Sequence, residues 1–189
     1  MAGVCPLDFF KMHAYYIRMA RLLPTKRDAI VMSSDIADYI VAKGTRSDVR
    51  TLYDIACVHP ERDAGYDDIF ARLMRVEESG RLRHYRICLN DDEIMDFLTR
   101  HPDIDLLTFL VFVMTHELLH IQRFTCGQAD FARACHDEEV LVDNLTRLLM
   151  AKHPVTGRGK VFKLLDKLAA PPLYNQRAIS DGGVINAYL

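Results

Sequence analysis

Apolar positions along this chain recur mostly at three- and four-residue spacing, which predicts helices, and short alternating runs leave room for a small sheet. A first helix is predicted over 6–23, with Pro6 near its first turn. Residues 29–32, Ala-Ile-Val-Met, predict a short strand. A helix follows from 34 or 35 to 43 and is closed by Gly44. Ser47 caps a predicted helix that runs to about Val58, before the His59-Pro60 break, and another helix covers 67–79 and ends at Gly80. The clearest strand is 83–89, rich in Tyr and Ile and bounded by Gly80 and Asn90. Helices are then predicted over 91–100, 105–124, 137–150 and 161–168. Within the second of these, 106–114 is the most apolar run in the chain. It is too short to span a bilayer and reads as a central helix buried on all sides. The expected fold class is α+β, mainly helical, with a small sheet of two or three strands beside that central helix.

The central helix also carries the candidate chemistry. Residues 116–120 read His-Glu-Leu-Leu-His. Positions i and i+4 lie one above the other on a helix, so His116 and His120 can grip one metal ion, with Glu117 beside them to hold a water. With 8 His in 189 residues, about 0.01 matches to this pattern are expected by chance. Downstream, Glu139 and Asp143 share one face of the helix predicted over 137–150, whose first turn is acidic.

In these two motifs the chain resembles the gluzincin branch of the zinc metallopeptidases, in which H-E-x-x-H is followed on a later helix by E-x-x-x-D. The resemblance spans about residues 83–150 and implies a single zincin-like domain. In that parse 1–80 is a helical N-terminal part, 81–152 the metal-site core and 153–189 a C-terminal helix and tail. It implies one zinc ion held by His116, His120 and Glu139, with Glu117 as catalytic base and Asp143 orienting a ligand imidazole. Such a ligand set leaves a fourth position free, which marks a catalytic rather than a structural site. Zincins also set a strand beside the active-site helix, along whose edge an extended peptide pairs; here that strand is the one ending in Arg86-Ile-Cys-Leu-Asn90.

Some positions depart from the pattern or leave choices open. Gln122 stands where a hydrophobic residue is usual. Glu138 competes with Glu139 for the ligand role, but only Glu139 has an acid four residues on, and Glu138 is better read as a solvated first-turn acid complementing the helix dipole. His136, one turn before Glu139, is a third ligand instead or a hydrogen-bond donor near the site. The oxyanion donor has no motif; His136, Tyr174 and Tyr188 are candidates by residue type.

Composition excludes several classes. Half the residues are hydrophobic and 26% are charged, with a net charge of −2 and a pI of about 6.4. Nothing there points to nucleic acid or an anionic membrane. Cys5, Cys57, Cys88, Cys126 and Cys135 include no C-x-x-C and read as reduced thiols of a cytoplasmic protein, and the N-terminus lacks the pattern of a signal peptide. The expected function is therefore zinc-dependent hydrolysis of peptide or protein substrates. The alternative is a non-proteolytic metal-binding protein with a regulatory or structural role. A di-iron bundle needs a second E-x-x-H, which this sequence does not have.

Overall fold

The computed structural model describes residues 26–58, 70–79, 82–133, 136–168 and 185–187. Their elements run α1 (Lys26–Thr45), β1 (Tyr53–Val58), β2 (Ala71–Ser79), β3 (Leu82–Asn90), α2 (Asp91–Arg100), α3 (Leu106–Thr125), α4 (His136–Lys152), α5 (Arg158–Leu168) and β4 (Ile185–Ala187). The fold is α+β and mainly helical. The sheet has order β1-β3-β2-β4, with β1 parallel to β3 and the other pairs antiparallel.

Helix α3 is the centre of the core, and every residue from Thr108 to Gln122 is buried. Its surroundings explain how. Helix α1 packs along it with Ala29, Ser33, Ala37 and Val41, small side chains recurring every four residues that let two helix axes approach closely. Helices α4 and α5 cover further faces, and strands β2 and β3 cover another. Tyr85, Ile87 and Leu89 on β3 and Ala71 and Leu73 on β2 alternate inward. At the N-terminal end of α3, Phe70, Phe97 and Phe109 cluster with centroids 4.8–5.0 Å apart, Phe97 stacked on Phe109 and Phe70 edge-on to both. Asp105 caps α3 by accepting from the Thr108 amide at 2.8 Å.

Helices α2, α3, α4 and α5 and strand β3 fall where periodicity predicts them, whereas the first part of the chain differs. Residues 29–32 belong to α1 and form no strand. Ser33 and Ser34 do not break this helix, because Ser33 Oγ donates to the Ile30 carbonyl at 2.8 Å and Ser34 Oγ meets the Tyr53 hydroxyl at 2.8 Å. Gly44 does not close α1 either: a Cβ there would run into the Leu149 side chain, so this glycine serves the approach of α4. The helix ends one residue later, where Arg46 turns left-handed at φ 60°.

The helices predicted from Ser47 to Val58 and over 67–79 are also absent; the described residues there form β1 and β2. Asp48 holds a turn by accepting from the Arg50 amide at 3.1 Å, and the Tyr-Asp-Ile-Ala-Cys-Val stretch that follows pairs with β3. The helix predicted over 6–23 lies outside the described residues.

One buried acid marks the junction of α1 and β1. Asp38 Oδ2 accepts from the Tyr53 hydroxyl at 3.0 Å, while its other oxygen has no partner among the described residues. Burial pushes its carboxyl from 3.8 up to about 6 against the opposing Tyr53 hydrogen bond. The folded value lies above the unfolded one, so this group's stabilising contribution is full below about pH 4 and is lost as pH rises through about 6. Thermal melts of wild type and Asp38→Asn at pH 5 and pH 8 test this: wild type is expected to gain on the variant at the lower pH. A constant difference between the two proteins would rule it out.

Candidate metal centre

The second half of α3 presents His116 and His120 toward the first turn of α4, which presents Glu139. His116 Nε2 lies 3.2 Å from His120 Nε2 and 3.2 Å from Glu139 Oε2, and His120 Nε2 lies 3.4 Å from the same oxygen. All three side chains are buried, and they form a group able to hold a metal ion. The spacing fits one. Ligand atoms about 2.0–2.1 Å from a tetrahedral ion stand about 3.3–3.4 Å from one another. Two imidazole nitrogens facing each other at 3.2 Å also make a poor hydrogen bond unless one carries a proton, whereas a shared cation satisfies both.

Glu117 is 1% exposed, and neither of its oxygens has a hydrogen-bond partner among the described residues. Burial pushes its carboxyl up to about 7 against the pull of His116 and His120. The ligand groups shift the opposite way from simple burial. For His120, desolvation favours the neutral ring, but the carboxylates of Glu138 and Glu139 on either side outweigh it and raise the imidazole. For Glu139, desolvation is likewise overcome by His116 and His120, which hold its carboxyl low. The centre is thus a set of mutually dependent buried charges. Phe124 closes one side of it, its ring stacked on His120 at 5.6 Å and 9°.

The remaining candidates are placed as follows. Asp143 lies one turn after Glu139; its Oδ2 accepts from Arg147 Nε at 2.7 Å, and its Oδ1 is buried without a hydrogen-bond partner among the described residues. Arg147 also reaches Asp166 on α5 at 2.7 Å. His136 opens α4 as an exposed residue outside the converging group. Tyr174 and Tyr188 lie outside the described residues. Gln122 is buried, and its amide donates to Cys126 Sγ at 3.4 Å.

Two sequence expectations are corrected here. Glu138 is not a solvated first-turn acid: it is 9% exposed and takes a bidentate pair from Arg123, Nε to Oε1 at 2.7 Å and Nη2 to Oε2 at 2.8 Å. The difference comes from α3, which carries the Arg123 guanidinium one turn beyond His120 and supplies a partner that a local stretch of sequence does not show. The strand ending in Asn90 offers no edge for a peptide, because β3 is paired with β1 on one side and β2 on the other. Sequence alone shows a strand but not its place in the sheet.

Comparison of the chain with models of protein families, with curated proteins and with solved structures finds no match. Among the described residues no helix is long and apolar enough to cross a membrane.

Elemental analysis of the purified protein is expected to give about one divalent metal ion per chain. His120→Ala is expected to lose it, and Glu139→Gln to hold it much more weakly. Full metal stoichiometry in the His120→Ala variant would remove this side chain from the ligand set.

Proposed function

We propose that the chain is a zinc-dependent peptidase of the gluzincin type, with His116, His120 and Glu139 as ligands and Glu117 as general base. One observation carries this reading: two imidazole nitrogens and a carboxylate oxygen converge within 3.2–3.4 Å beside a buried carboxylate that has no partner among the described residues. This donor set suits zinc better than magnesium or calcium, which favour oxygen, or copper(I), which favours sulfur. Bound there, zinc supplies Lewis-acid polarisation of a peptide carbonyl and an acidified water.

The work of Glu117 is proton transfer. It takes a proton from the attacking water and returns it to the leaving amine nitrogen. Burial raises its carboxyl and so makes it a stronger proton acceptor, and a neighbouring dication favours its ionised, accepting form. Asp143 is the acceptor that the E-x-x-x-D pattern assigns to a ligand imidazole; its Oδ1 and His116 Nδ1 are both buried but do not hydrogen-bond to each other here. The substrate is a peptide or protein. The free thiols of Cys57, Cys88 and Cys126 fit a reducing, cytoplasmic location.

A second reading, a non-proteolytic metal-binding protein, is favoured by one observation: Glu117 is 1% exposed, so a substrate must displace covering residues to reach it. The two readings part on a single variant. Against a mixed peptide library read by mass spectrometry, zinc-loaded wild type is expected to cleave. Glu117→Gln is expected to keep zinc and fold but lose about 10²–10⁴-fold in rate, since an amide cannot accept the proton. A chelator should abolish cleavage, and added zinc should restore it. Cleavage that persists unchanged in Glu117→Gln, or no cleavage by zinc-loaded wild type, sinks the peptidase reading, and the second outcome favours the metal-binding alternative.

A further inference from the structure

His120 is held on more sides than a ligand pair requires. Its Nε2 edge faces His116 and Glu139, and its ring face stacks on Phe124. Its opposite edge, Nδ1, lies 3.7 Å from Glu138 Oε1, about 0.5 Å beyond the outer range of an N–H···O hydrogen bond. Consecutive residues of a helix project about 100° apart, so Glu138 and Glu139 do not ordinarily serve one partner. Here the His120 ring lies between them, and the first turn of α4 places a carboxylate toward each edge of a single imidazole, with no hydrogen bond formed at Nδ1.

Glu138 is itself fixed. Arg123, on α3 three residues beyond His120, meets both of its oxygens in a planar fork, and the two side chains are 13% and 9% exposed. The far side of the guanidinium is engaged as well: Arg123 Nη1 donates to Gln128 Oε1 at 3.4 Å, and the Gln128 amide donates back to the Arg123 carbonyl at 2.8 Å.

We propose that Glu138 is a positioning residue for the metal centre, accepting the Nδ1 proton of His120, and that Arg123 holds Glu138 in place for that task. The inference rests on the reading of His116, His120 and Glu139 as metal ligands. Its physical content is the tautomer. A carboxylate at Nδ1 keeps the proton on that nitrogen, leaves the Nε2 lone pair free for the metal, and fixes the ring plane. Arg123 has two effects. Its fork stops Glu138 from rotating toward the cation as a competing ligand, and its charge offsets a carboxylate that burial otherwise disfavours. Glu138 cannot be both a ligand and this acceptor, because it faces the edge of His120 remote from the three converging atoms.

The test replaces the pair by apolar residues of similar length, Arg123→Met with Glu138→Met, a change that buried ion pairs commonly tolerate in folding. Zinc affinity is measured by competition with a chromophoric chelator, and the cobalt-substituted protein is examined by visible absorption. Melting of the metal-free protein serves as the control for fold. The double variant is expected to bind zinc about 10–100-fold more weakly and to shift or broaden the cobalt bands, which report ligand orientation. Glu138→Gln, which keeps an oxygen but loses the charge, is expected to fall between it and wild type. Wild-type zinc affinity with unchanged cobalt bands in the double variant would mean that the pair only fastens α3 to α4, and would overturn the inference while leaving the ligand set intact. If the double variant does not fold, Glu138→Gln decides by the same two readouts. A wild type that takes up neither zinc nor cobalt overturns the ligand assignment and this inference together.

Discussion

A helix buried on every side has no solvent-facing stripe for polar side chains, yet α3 carries His116, Glu117 and His120 in succession within its covered length. Taking such groups out of water is expensive unless each finds a partner in the interior. That requirement shapes the half of the molecule around the site. Glu139 reaches the centre because α4 begins directly against it, and Arg123 and Arg147 follow as counter-charges for the neighbouring acids. Even the sheet contributes through this constraint. Tyr85 on β3 packs on Phe124, whose backbone carbonyl accepts from Arg83 at 2.9 Å, and Phe124 in turn backs the ring of His120. The strand supports His120 from behind, and both of its edges are paired.

Sequence reading succeeded where local signals and tertiary packing agree. Helix α2 carries its own cap at Asn90, three first-turn acids and a basic last turn, and its limits were predicted to the residue. The apolar run of α3 and the His pair at four-residue spacing were equally plain. Errors fell where a short apolar run suits either element. Ala-Ile-Val-Met over 29–32 is β-branched enough for a strand, but the small residues at every fourth position of α1, matched to the surface of α3, decided for helix. Residues 71–79 offer both a period of two and a period of three to four; pairing with β3 selected the former.

The converging triad and the placement of Glu138 are legible in the sequence to different degrees for a related reason. His116, His120 and Glu139 announce themselves through spacing, because the chemistry of a shared ion fixes which positions on each helix take part. Glu138 carries no such mark. Its burial depends on the angle at which α4 meets α3 and on the presence of Arg123, fifteen positions away in sequence. Neither is visible in a local window, so the dipole argument gave a reasonable answer to the wrong environment.

The charges around the centre also favour a cation over protons alone. With neutral imidazoles, the carboxylates of Glu117, Glu138, Glu139 and Asp143 face only two guanidinium groups, those of Arg123 and Arg147. The balance is a deficit of positive charge. Arg147 is further shared with Asp166, so its compensation is not spent on the centre alone. Without a metal, protons must meet that deficit, and the shifts point that way: Glu117 is pushed up to about 7 and the His120 imidazole is raised. A cation at the meeting point of the three converging atoms would offset the same deficit without protonating either histidine.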